Sequence, residues 1–178
     1  MFENLIKYKT IIVTGPQRSG TRITSKAIAA DTGHIYIEEE KYFRKIKGQR
    51  FAVVDLSKLE EFKTQAKVIH GPMLLSHWQE LNSLDTIFVC CIRKLLDLKK
   101  SEKRLKHSYW TTIPETMEYI NLMGFNVKPI PLPFIKYTYW LTQVRHKVYH
   151  WMEFCYEDLK SHPMWQSSHA HFKWNQTE

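Results

Sequence analysis

Short apolar runs rich in β-branched residues alternate along this chain with stretches of helical periodicity. Thr10–Thr14 (TIIVT) ends at Gly15 and has the pattern of a strand buried on both faces. Residues 15–20 read as a loop. Residues 19–30 then predict a helix whose apolar stripe is Ile23, Ala27, Ile28 and Ala30, with Gly33 just past its end. Further strands are predicted at 34–37, 51–56 (FAVVDL), Lys67–His70, Thr86–Ile92 (TIFVCCI) and 151–155, the run at Thr86–Ile92 being the clearest. Helices are predicted at 56–66, 94–106, 116–123 and 134–148, the last with Tyr137, Trp140, Leu141, Val144 and Val148 on one face. Strands alternating with helices imply an α/β fold: a central, mainly parallel sheet flanked by helices in three layers, with function at the carboxyl ends of the strands.

The chain has 178 residues, which suits a single domain, and at 43% hydrophobic it can fill a core, so wholesale disorder is excluded. Pro129, Pro131 and Pro133 read as a crossing segment within that domain. No run approaches the 18 apolar residues of a membrane span, and the N-terminus lacks the signal-peptide pattern. Three Cys, two of them adjacent, read as reduced core thiols, so a cytoplasmic location is expected. Nine His show no metal-ligand spacing, so no metal is expected, and the six Trp read mainly as core or pocket wall. The net charge of +8 favours anionic partners. The basic residues gather at Lys41, Arg44, Lys45, Lys47 and Arg50, and again at Arg93, Lys94, Lys99, Lys100, Lys103, Arg104 and Lys106.

The most informative segment is Gly15-Pro16-Gln17-Arg18-Ser19-Gly20-Thr21-Arg22, between a predicted strand and a predicted helix. Glycines let the backbone wrap so that N–H groups point inward, and a helix start adds positive potential. Arg18 supplies a full charge; Ser19 and Thr21 supply hydroxyls. Gly15 and Gly20 have the spacing of the Walker A loop, but Thr21 stands at its Lys position and Arg22 at its Ser/Thr position. The residues that handle Mg²⁺-triphosphate are therefore missing.

Pro16 to Arg22 resembles the 5′-phosphosulfate loop of the sulfotransferases, usually P-[KR]-S-G-T-T/S, with Gln17 standing between Pro16 and Arg18. The Gly-Thr-Arg ending is similar to the heparan-sulfate branch. The resemblance implies a P-loop-like fold, 3′-phosphoadenosine 5′-phosphosulfate (PAPS) as donor, adenosine 3′,5′-bisphosphate as product, and no metal in transfer. It also implies a 3′-phosphate site made by an Arg at a central strand's end and a Ser eight residues later. Arg93 and Ser101 fit that pattern after Thr86–Ile92, and a planar guanidinium is suited to phosphate. Tyr156-Glu157-Asp158-Leu159 is similar to a Y-E-D-L stretch found after a late strand of the family, read here as a structural corner. The R-K-G cofactor loop of the cytosolic branch has no counterpart in His171–Gln176, which implies different adenosine recognition.

Sulfuryl transfer needs an in-line acceptor, a base, and positive charge on the leaving phosphate. Arg18 is expected at the bridging oxygen, with Arg22 assisting the donor or the acceptor. Two residues are candidates for the base, His70 ahead of Glu39. His70 resembles the K-T-H-L-P histidine of the cytosolic branch. Glu39, or its neighbour Glu40, resembles the heparan-branch glutamate that precedes an aromatic pair, here Tyr42-Phe43. The acceptor is a hydroxyl or amine on a small molecule or glycan, and the basic surface points to an anionic one. Two other classes remain open. Phe51 to Asp55 resembles a Walker B strand, with Asp55 able to hold Mg²⁺, which suits a phosphotransferase. A basic nucleic-acid-binding module ranks last, because no recognition motif is present.

Overall fold

The computed structural model describes residues 1–45, 52–104, 119–124 and 132–166. Lys47, Arg50, Phe51, Lys106, Pro129, Pro131, Trp110 and the residues after 166 lie outside them. The strands are β1 (Thr10–Thr14), β2 (Ile35–Ile37), β3 (Phe43–Lys45), β4 (Ala52–Val54), β5 (Lys67–His70), β6 (Thr86–Ile92) and β7 (His150–Cys155). The helices are α1 (Thr21–Thr32), α2 (Trp78–Leu81), α3 (Leu95–Arg104) and α4 (Leu132–Tyr139), the last continued by one wide π-turn over Trp140–Val144.

The apolar runs form one five-stranded sheet in the order β2-β5-β1-β6-β7. All four pairings are parallel, with Thr10 level with both Lys67 and Thr86. Alternation along each strand divides its side chains between two cores. Ile12, Ile69, Phe88 and Cys90 face one layer, where Leu74, Trp78, Ile135 and Trp140 cover them. Ile11, Val13, Val68, Val89 and Cys91 face the other, where Phe2, Ala27, Ile28 and Leu159 cover them. β1 is the middle strand and β6 lies beside it, where Phe88 and Val89, on opposite faces, are both fully buried. Burying a side chain of that size contributes roughly 1.5–3 kcal/mol. The α/β class and its mainly parallel central sheet are thus as the hydrophobic pattern implies.

Three local expectations are corrected. Residues 52–54 do not join the main sheet. β4 pairs antiparallel with β3 in a separate two-stranded sheet, with Phe43 opposite Val54. Asp55, at its end, accepts from the Ser57 hydroxyl at 2.6 Å and lies 3.9 Å from Arg44. It is not at the carboxyl end of a strand beside β1, so the Walker B expectation fails. Residues 56–62 form 3₁₀ turns in place of a helix, and only Leu59 among them is buried. Cys155 is exposed, whereas Cys90 and Cys91 are the core thiols. Burial drives the Cys91 thiol up to about 12, so it stays protonated and inert.

Connections leaving β1 and β6 run to opposite edges of the sheet, through β2 and β7 respectively. Such a reversal opens a crevice at the carboxyl ends of the two strands. Residues 15–20 and Arg93 emerge there. No helix of the described residues is long and apolar enough to cross a membrane.

Candidate site at the carboxyl ends of the strands

The loop after β1 is held by contacts that require its glycines. Gly15 has φ 136°, and a Cβ there would lie 2.8 Å from the Cys91 carbonyl oxygen of β6. Gly20 has φ 93°, and a Cβ there would lie 2.0 Å from Tyr156 Cδ2. Arg18, between them, also takes the left-handed conformation, with φ 71°. Pro16 O accepts from the Ser19 amide at 3.1 Å and from the Ser19 hydroxyl at 2.7 Å. The Ser19 hydroxyl, buried, thus ties the turn together. Gly20 brings no side-chain cap to α1. The first-turn N–H groups of such a helix point into the loop.

On one side of this loop, three residues from separate stretches meet. Arg18 Nε and Nη2 both donate to Ser101 Oγ of α3, each at 3.3 Å. Arg93 Nη1 donates to the Arg18 carbonyl at 2.9 Å, and the Arg93 amide donates to Tyr137 Oη at 2.9 Å. The Arg93 guanidinium stacks 4.1 Å above the Tyr156 ring, a favourable cation–π geometry. That same ring closes against Gly20. The Y-E-D-L tyrosine is therefore the shared floor under the loop and Arg93, more than a structural corner. Arg93 Nε is buried and finds no acceptor among the described residues.

On the other side, toward β5 and β2, lies a chain of hydrogen bonds. Thr21 Oγ1 is 2.9 Å from His70 Nε2, and His70 Nδ1 is 2.6 Å from Glu38 Oε1. Tyr36 donates to Glu38 Oε2 at 2.6 Å, and Arg22 Nε donates to Glu38 Oε1 at 3.2 Å. Arg22 is thus paired with Glu38. Tyr42 donates to the His70 carbonyl. Glu39 Oε1 is 3.8 Å from His70 Nδ1.

Two adjacent carboxyls are pushed apart by their surroundings. Burial works against the Glu38 charge, but hydrogen bonds from Tyr36 and His70, with Arg22 nearby, hold it below the usual carboxylate range. Among the described residues Glu39 has no such donors. Burial raises it to about 7, Arg22 and Lys136 opposing and the neighbouring glutamates assisting. Burial lowers His70, more than the Glu38 hydrogen bond raises it. Divergent pairs of this kind mark acid–base assignments.

Lys136 of α4 is fully buried behind the loop. Its Nζ donates to Gln17 Oε1 at 3.0 Å and to the Pro72 carbonyl at 3.2 Å. Among the sequence-predicted residues, Arg18, Arg93 and Ser101 are brought together, as are Thr21, His70 and Glu39. The sequence pattern assigns Tyr137 only to an apolar helix face and Tyr156 only to a structural corner; Glu38 adjoins the base candidates Glu39 and Glu40, and nothing in the pattern marks Lys136. Glu40 is exposed. No group of three or more metal-ligating side chains is gathered among the described residues. No family model matches the chain, and no curated protein matches it.

Proposed function

We propose that this protein is a sulfotransferase-like enzyme that moves a sulfuryl group from PAPS to a hydroxyl or amine. The observation that carries the reading is the meeting of Arg18, Arg93 and Ser101 beside the loop. They belong to two motifs that the family resemblance assigns to one doubly phosphorylated donor, Arg18 to the loop and Arg93 with Ser101 to the 3′-phosphate pattern, and hydrogen bonds link Arg18 to each of the other two. The Arg93 Nε without an acceptor and the close-packed Gly15–Gly20 cradle suit an anion.

The donor supplies a sulfuryl group joined to phosphate through a bridging oxygen. The chain's residues do the rest. Arg18 and Arg93 offset the charge of the phosphates, with Ser101 as a hydroxyl partner. The loop backbone and the start of α1 cradle the 5′ end. Glu39 takes the acceptor's proton as the acceptor oxygen or nitrogen bonds to sulfur and the sulfur–oxygen bond to phosphate breaks. Its carboxyl titrates near neutrality, where a general base works best. His70 has both ring nitrogens engaged inside the protein, so it serves as a positioning residue in this scheme.

Calorimetry with adenosine 3′,5′-bisphosphate, against ATP plus Mg²⁺, tests the reading. The bisphosphate should bind more tightly. Arg93→Ala should weaken it by about 10–150-fold, the value of one charged hydrogen-bonding partner. ATP preference would favour a phosphotransferase. Affinity for DNA or RNA that is steeply salt-dependent, with neither nucleotide bound, would favour a nucleic-acid module.

A further inference from the structure

The Thr21–His70–Glu38 chain fixes the direction of a hydroxyl that belongs to the loop. Glu38 is held ionised, so it can only accept. At 2.6 Å from it, His70 Nδ1 must carry the proton. Neutral His70 then presents a lone pair at Nε2. Thr21 has one hydroxyl proton, and at 2.9 Å it is given to that lone pair. Thr21 Oγ1 thus turns only lone pairs toward the loop. That is the wrong polarity for an anion, which needs donors.

We propose that filling the loop with an anionic donor is coupled to protonation of His70, and that Glu38 is the positioning residue that makes the coupling possible. The inference rests on the functional reading above, in which the start of α1, where Thr21 stands, cradles the donor. A proton added at His70 Nε2 reverses the bond: the imidazolium donates to Thr21 Oγ1, and the hydroxyl proton swings to the anion. One proton enters from solvent and forms the Nε2–H bond of the imidazolium, and no other covalent bond is made or broken. The imidazolium would sit 2.6 Å from Glu38 and 3.8 Å from Glu39.

Every charged group around His70 bears on this balance. Arg22 of α1 opposes the added charge. Glu38 and Glu40, on the turn after β2, favour it, as does Glu39 when ionised. Lys136 of α4 acts on Glu39, and the Tyr42 hydroxyl engages only the His70 carbonyl. In the free protein His70 is 5% exposed, and burial keeps it neutral. The arriving negative charge tips the balance.

The test is calorimetry of adenosine 3′,5′-bisphosphate near pH 7.5 in two buffers of different ionisation enthalpy. Wild type should take up as much as one proton per ligand. Its affinity should fall by as much as about tenfold per pH unit above the free His70 value. His70→Gln should bind without uptake beyond the ligand's own, and Glu38→Gln should take up less than wild type. Nitrogen NMR of wild-type His70, which needs no variant to fold, should find Nδ1–H in the free protein and both nitrogens protonated in the complex. Binding with no uptake, or an Nε2–H tautomer in the free protein, overturns the coupling and leaves the functional reading standing. Failure of wild type to bind the bisphosphate overturns both.

Discussion

Glu39→Gln should lower turnover by about 10²–10⁴-fold, the usual contribution of a positioned base. Affinity for adenosine 3′,5′-bisphosphate should stay close to wild type. The active form is the carboxylate, so wild-type rate should rise with pH through about 7. That limb should vanish in the variant. Stability moves the opposite way. A carboxyl raised by burial folds more readily protonated, so its favourable term is complete below the ordinary glutamate value and is lost as pH rises through about 7. Glu39→Gln should therefore be more stable than wild type at pH 8 by thermal unfolding. An inactive, more stable variant is not what loss of a structural ion pair produces. Near-native turnover in Glu39→Gln would remove this residue as the base, and a large turnover loss in His70→Ala alone would move the role to His70.

Gly20→Ala should be among the most damaging single-methyl changes in the molecule. The new Cβ would lie 2.0 Å from Tyr156 Cδ2 and 2.5 Å from Cε2. Tyr156 has little room to retreat, because it packs edge-on against Trp165 at 4.6 Å and beneath Arg93 at 4.1 Å. Overpacking costs about 1–3 kcal/mol, and placing alanine in left-handed backbone adds about 1–2 kcal/mol. A melting temperature lower by roughly 5–15 °C follows for a chain of this size. Bisphosphate binding should weaken as well, since the displaced ring is the one under Arg93. A double-mutant cycle with Tyr156→Ala isolates the clash, and a coupling of about 1–3 kcal/mol is expected. Simple additivity of the two variants would mean that the ring yields freely.

The sheet was legible because its strands are nearly uninterrupted apolar runs. Thr86–Ile92 is buried along almost its whole length, so no other element competes for that sequence. Residues 56–66 misled because Leu56, Leu59, Phe62 and Ala66 repeat at helical spacing, while burial in this stretch is confined to Leu59. Leu56 and Phe62 are only partly buried against the core and Ala66 is exposed, so the stripe gives little reason for a regular helix. Residues 52–54 misled for a different reason: a short β-branched run does not specify which sheet it joins. In the candidate site, motif spacing points to Arg18, Arg93 and Ser101, and the fold brings these three together. Lys136 was not, because its partner Gln17 lies 119 positions away. Among the three glutamates, their separate roles depend on which one Tyr36 and Arg22 reach, and that is decided by the turn after β2.

The contact between Gly20 and Tyr156 also bears on how the protein comes into being. The loop leaves the ribosome well ahead of its floor, because Gly20 precedes Tyr156 by most of a domain's length. At ordinary rates of synthesis, on the order of ten seconds separate them. Over that interval the nascent loop has neither the ring beneath it nor β7 beside β6. Ligand affinity should therefore arise late and abruptly, so that truncated chains ending before residue 156 accumulate without competing for the donor.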